Sequence, residues 1–181
     1  MKPKLMHRTT SSVYLSKRVR DIIAHADRLE EAGDLSGAIA ELSRAIELDP
    51  ESPILRSRRG LVLSFAEDWG SAIQDFHVAL ESRPDVAYTR FLRAVARLKL
   101  EDLDGALRDF EEVIRRCHEL AVRKKERLAD TYFETGRIHQ RRGDLERALT
   151  AYESAGRAVE SGYLDVGERV TEIREQLESP G

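Results

Sequence analysis

Apolar residues recur at helical spacing along most of this chain, in pairs of runs separated by short polar breaks. In the first pair, Ile22, His25, Ala26 and Leu29 share one face, and Leu35, Ile39, Leu42, Ala45 and Ile46 share another. The stretch GDLSGAIAEL between them, from Gly33, returns as EDWGSAIQDF from Glu67, EDLDGALRDF from Glu101 and GDLERALTAY from Gly143. The pattern predicts four amphipathic helical hairpins in series.

The four copies align in columns. Ala38, Ala72, Ala106 and Ala148 are spaced by 34, 34 and 42 residues. Twelve positions earlier stand Ala26, Gly60, Ala94 and Gly136, and seven positions later Ala45, Ala79, Val113 and Ala155. These small residues let two helix backbones approach, and a bulky column, Leu42, Phe76, Phe110 and Tyr152, fills the space beside them. Asp34, Asp68, Asp102 and Asp144 precede each second helix, where a short carboxylate accepts from unpaired amides and suits the helix dipole. No lone hairpin buries both its faces, so the units must stack into one continuous core.

These columns resemble the tetratricopeptide repeat, a helix–turn–helix unit with small residues at its eighth, twentieth and twenty-seventh positions. Large apolar residues stand at its twenty-fourth, and a proline often closes it, as Pro50 and Pro84 do here. The resemblance implies an all-α fold, a right-handed α-solenoid of stacked antiparallel helix pairs. The units are expected at about 19–52, 53–86, 87–128 and 129–162. Residues 1–18 form a basic tail or the start of the first helix, and 163–181 a capping helix with a short tail.

Three departures carry expectations of their own. The fourth unit arrives eight residues late, and Cys117–Leu128 contains neither Pro nor Gly, so the extra residues read as extension of one helix, the second of unit three or the first of unit four. Residues Tyr163–Glu178 carry Leu164, Val166, Val170, Ile173 and Leu177, the inner face of a cap that a solenoid needs at its end. Lys2, Lys4, Arg8, Lys17, Arg18 and Arg20 make the first twenty residues basic with no acid, and Ser11 or Ser12 is the expected cap of a helix starting near Val13.

Composition narrows the function classes. At 35% charged residues the net charge is only −3, so the chain as a whole is no polycation for nucleic acid. The single Cys117 excludes an internal disulfide framework and a cysteine zinc cluster, and no run long and apolar enough to span a membrane occurs. With no secretory apolar segment, a cytoplasmic location is the expectation. There is no glycine-rich phosphate loop, nucleophile elbow or HExxH, so no catalytic residue, metal site or cofactor is expected. Cys117 and His118 point about 100° apart on a helix and do not converge. Glu30-Glu31 and Glu111-Glu112 read as solvated faces, as does the basic run Arg115, Arg116, His118, Arg123, Lys124, Lys125 and Arg127, although that run is the candidate surface for an acidic partner or nucleic acid.

Arrays of this family act as binding scaffolds, and the resemblance places the binding groove on the first helices. Its groove positions fall on Arg20, Ile23, Asp27, Glu30 and Glu31 in unit one, and on Ile54, Ser57, Leu61, Ser64 and Phe65 in unit two. Unit three contributes Tyr88, Phe91, Val95, Leu98 and Lys99, and unit four Asp130, Phe133, Arg137, Gln140 and Arg141. The order runs from acidic through apolar to basic, which suits a peptide or amphipathic helix oriented by its charges. The family's clamp for a terminal carboxylate would use Ile23, Asp27, Arg58, Tyr88 and Leu92, and none of the five matches it. The expected role is a non-catalytic adaptor for another protein, with self-association, or docking through the basic surfaces, as the rivals.

Overall fold

Four tight turns of one design organise the chain. The computed structural model describes residues 16–119, 125–158 and 165–178. Each turn joins two antiparallel helices: α1 (Lys17–Glu31) to α2 (Leu35–Leu48), α3 (Pro53–Phe65) to α4 (Trp69–Ser82), α5 (Ala87–Lys99) to α6 (Leu103–Glu119), and α7 (Lys125–Arg141) to α8 (Leu145–Ala158). A last helix, α9 (Val166–Glu178), follows, and no strand occurs among the described residues. Each helix packs on the next in sequence, giving a right-handed solenoid of stacked pairs.

The turn chemistry is the same in all four. The Asp34 amide donates to Leu29 O at 2.8 Å and the Gly33 amide to Glu30 O at 2.9 Å, which satisfies carbonyls that the end of α1 leaves unpaired. Asp68, Asp102 and Asp144 repeat the first of these bonds, to Leu63, Arg97 and His139. The residue before each aspartate is left-handed: Gly33 at φ 80°, Glu67 at 58°, Glu101 at 60° and Gly143 at 75°. The aspartate then caps the second helix, its carboxylate accepting from the amides of Gly37, Ser71, Gly105 and Arg147 at 2.9, 3.2, 2.9 and 3.3 Å.

Small and bulky columns meet as their spacing requires. A Cβ built on Gly60 would lie 2.7 Å from the Phe76 ring, and one on Gly136 2.8 Å from the Tyr152 ring, so a larger residue at either place would force the buried ring to shift. Ala26 sits with Leu42 and Ala94 with Phe110 in the same arrangement. Each such cluster is closed by the next unit: Val62 joins the first, Ala96 the second and Ile138 the third. Ile173 of α9 closes the fourth beside Ala148 and Tyr152, so α9 serves as the missing neighbour of the last hairpin.

Ser16 caps α1, accepting from the Val19 amide at 3.3 Å, and Ser11, Ser12 and Val13 lie outside the described residues. Three expectations change. The extra residues of the third unit lengthen both candidate helices: α6 and α7 each have 17 residues, against 14 in α2, α4 and α8 and 13 in α3 and α5. Leu177 is 39% exposed, beyond the reach of α8. Glu30 and Glu112 are ion-paired rather than simply solvated. The tail 1–15, the segment 120–124 and Leu164 lie outside the described residues.

Candidate functional site

The first helices of the hairpins present one stripe each, at spacings of four, three and four residues that keep side chains within about 60° of one another. On α3 the stripe is Ile54, Arg58, Leu61 and Phe65, and on α5 it is Tyr88, Leu92, Val95 and Lys99. The equivalent residues are Arg20, Ala24, Asp27 and Glu31 on α1, and Asp130, Glu134, Arg137 and Arg141 on α7. Apolar character is thus confined to the two central helices.

Exposure separates the candidate residues. Ile54 is 57% exposed, Phe65 55% and Tyr88 39%, while Leu61 is half-buried. Phe91 and Val95 are half-buried against the cluster around Phe110, with the Phe91 and Phe110 rings 5.8 Å apart. Phe133 packs on Tyr152 at 5.4 Å, and Ile23 on the cluster of Val19 and Ile22. These four pack against the core and keep only part of their surface exposed.

Between the starts of α3 and α5 lies a cavity of about 260 Å³. Pro53, Ile54 and Ser57 wall one side, Val86, Tyr88 and Thr89 the other, and Ala79 and Arg83 of the α4 end close the back. Ser57 Oγ and Thr89 Oγ1 bridge its floor at 2.9 Å. Lys99 at the opposite end of α5 lies over Trp69, its Nζ 5.8 Å from the ring centroid.

Charges form rungs between adjacent helices. Arg58 is bonded to Asp27 and lies 3.6 Å from Glu30, which occupies the one cation at the clamp positions. Arg141 bonds Glu101, holding that carboxyl below its usual range, and Arg137 pairs with Glu134 at 3.1 Å. Arg115 and Arg116 both bond Glu112 at 2.6 Å and bring its carboxyl down to about 2, Arg115 contributing most. Two residues of the basic run thus share one carboxylate on their own helix. Arg127 instead stacks over the rings of Tyr88 and Phe91, at 4.2 and 5.9 Å.

Sequence reasoning missed a second polar feature, behind the groove. Asp75 is buried and takes two bonds from Arg59, at 2.6 and 2.8 Å, with Arg56 at 3.5 Å. Asp109 repeats this one unit later with Arg93 at 2.8 and 2.7 Å, Arg97 at 2.8 Å and Arg90 at 3.5 Å. Bonding to Asp75 raises the Arg59 pKa further. The signal was available: Arg and Asp sixteen positions apart, twice, with all three residues recurring at the repeat spacing of 34. The first unit has His25 and Glu41 there, 3.7 Å apart, and the fourth has Thr135 and Ala151. Among the described residues no cluster of His, Cys, Asp or Glu could hold a metal, and no helix is long and apolar enough to cross a membrane. Cys117 is half-buried, and the side chain of its neighbour His118 lies outside the described residues.

Comparison with known proteins agrees with this fold. A family model described as TPR repeat matches residues 26–64, and one described as tetratricopeptide repeat matches residues 58–122. No curated protein gives a significant match. Among solved structures, MamA superposes with a TM-score of 0.77 at 17% identity, over 88% of this chain and 82% of that one. MamA 41-end from Desulfovibrio magneticus RS-1 gives 0.71 at 17%, over 92% and 99%. YrrB, a TPR protein with an unusual peptide-binding site, gives 0.70 at 19%, over 88% and 77%. At these identities the likeness is one of fold.

Proposed function

The chain belongs to the tetratricopeptide-repeat family, and from that premise we propose that it is a non-catalytic adaptor holding a peptide or helix of another protein across α3 and α5. Tetratricopeptide repeats are interaction modules as a class, so the site has to be argued from residues. The observation that carries the reading is the exposure of Ile54 and Phe65 at opposite ends of the α3 stripe, with Tyr88 beside them. Eleven residues of helix separate the two, about 16 Å, so together they mark both rims of the groove. Large apolar side chains presented in this way suit burial against a partner. The charged stripes of α1 and α7 flank them and orient what binds.

The described ends of the array favour this over end-to-end stacking of copies. The outer face of α1 shows Lys17, Arg18, Asp21 and Arg28, and that of α9 shows Glu168, Arg174, Glu175 and Glu178, all exposed. The test is capture of a native partner by the wild-type chain and by Ile54→Glu/Phe65→Glu, after matching their helicity. A partner held by the wild type and lost by the variant is expected. Equal capture by both overturns the groove reading, and a mass that grows with concentration and collapses in the variant reassigns the surface to self-association. Phe91 is unsuitable for this test, because its half-buried ring supports Phe110.

A further inference from the structure

The cavity between α3 and α5 combines apolar walls with guanidinium groups close by. Its walls are mainly apolar: Pro53, Ile54, Ala79, Val86 and the Tyr88 ring. One cation lines it, and a second lies against its Tyr88 wall. Arg83 lines it and is half-exposed, with only a 3.5 Å contact to Asp85. Arg127 stacks on Tyr88, and its Nε and Nη1 are buried without a hydrogen-bond partner. A guanidinium with buried, unbonded N–H groups is costly unless an acceptor arrives, and a carboxylate is the acceptor it suits best. The starts of α3 and α5 add to the same polarity: neither Ser52 nor Val86 makes a side-chain cap, and neither first turn holds an acid.

We propose that this cavity is the anchoring subsite of the groove, and that it takes a bulky apolar side chain from a partner segment carrying a carboxylate within a few residues of that anchor. The apolar group fills the space between Ile54 and Tyr88, and the carboxylate bonds Arg127, with Arg83 on the other flank. The partner is therefore an acidic–apolar peptide, its acidic part directed toward α7. The proposal rests on the groove reading above and narrows it to one subsite and one ligand chemistry.

A phage-displayed random dodecapeptide library panned on the full chain provides the test. Peptides enriched in Leu, Ile or Phe with Asp or Glu nearby are expected, with binding falling about tenfold or more on Ile54→Asp and on Arg127→Glu. Replacing the peptide's acid with lysine should abolish binding to the wild type and restore it to Arg127→Glu, a reciprocity that a folding defect cannot produce. Ile54 is exposed, so its variant folds even if the Arg127 variant does not. Peptides lost on Leu61→Glu but indifferent to the Ile54 and Arg127 variants would overturn the subsite and leave the groove standing. Lysine-flanked peptides would overturn the charge assignment. Peptides indifferent to all three variants, or no enrichment, would overturn both readings.

Discussion

The two inner hairpins and the two outer ones share a backbone plan but solve it with different residues. In α3–α4 and α5–α6, arginines from the first helix surround a buried aspartate on the second. The outer pairs put a half-exposed His25–Glu41 contact and the neutral Thr135 and Ala151 at those positions. The inner turns use Glu67 and Glu101 in left-handed backbone, and the outer turns use Gly33 and Gly143. Only the inner groove stripes are apolar. What all four share is the small column, the bulky column and the aspartate cap. The hairpin thus forms with those shared columns whether or not the buried ion pair is present, and the pair's expected net contribution to stability is small.

The largest test of that comparison is Asp109→Ala. It leaves Arg93, a buried side chain, without its carboxylate and should cost about 3–5 kcal/mol in denaturant unfolding. Grafting the pair into the fourth hairpin, as Thr135→Arg with Ala151→Asp, should by contrast change stability by about 1 kcal/mol or less, since charge burial and attraction roughly cancel. A large gain from the graft would mean that ion pairs, not the shared columns, hold the hairpins.

Next come the glycines beneath the aromatic rings. Gly60→Ala in an inner pair and Gly136→Ala in an outer one meet rings at nearly the same distance, 2.7 and 2.8 Å. Each should cost about 1–3 kcal/mol, by similar amounts, in thermal or chemical unfolding. Unequal costs would show that the inner and outer units are packed differently after all.

His139 makes the fourth hairpin sensitive to acid. Burial lowers its pKa, opposed by Asp144 at 3.8 Å and reinforced by Arg147 and Arg142. The unfolded chain then binds a proton more readily than the folded one. The stabilising contribution is present above the ordinary histidine pKa of about 6.5 and is lost as pH falls through the lower folded value. His139→Leu, matching Leu29 and Leu63 at the same repeat position, should flatten unfolding free energy against pH in that window. The smallest effect is expected from Glu67→Gly, which relieves a left-handed non-glycine residue and should stabilise by up to about 1 kcal/mol.

The partition between what was legible and what was not follows the range of each interaction. Ala38, Phe76, Gly136 and the aspartate caps were readable because a repeat forces the same short-range contact at the same spacing, and each contact needs a particular size or a carboxylate. The groove stripes were readable only as positions. Phe91 leans on Phe110 across its own hairpin while Phe65 stands in solvent at the end of α3, a difference set by how the helices pack and not by their spacing along the chain. The same holds for the lengthening of both α6 and α7 to 17 residues.

Helix, turn and repeat were thus determined by the sequence alone, since they arise from contacts within one unit and each copy votes for the same answer. Tertiary structure decided which charges cancel and which remain. Arg58, Arg115 and Arg141 find carboxylates on the same helix or in the neighbouring unit, whereas Arg127 lies over the aromatic faces of Tyr88 and Phe91. The reason is physical: long charged side chains settle on whatever acceptor the stacking brings within reach, and that is fixed only when the hairpins have packed.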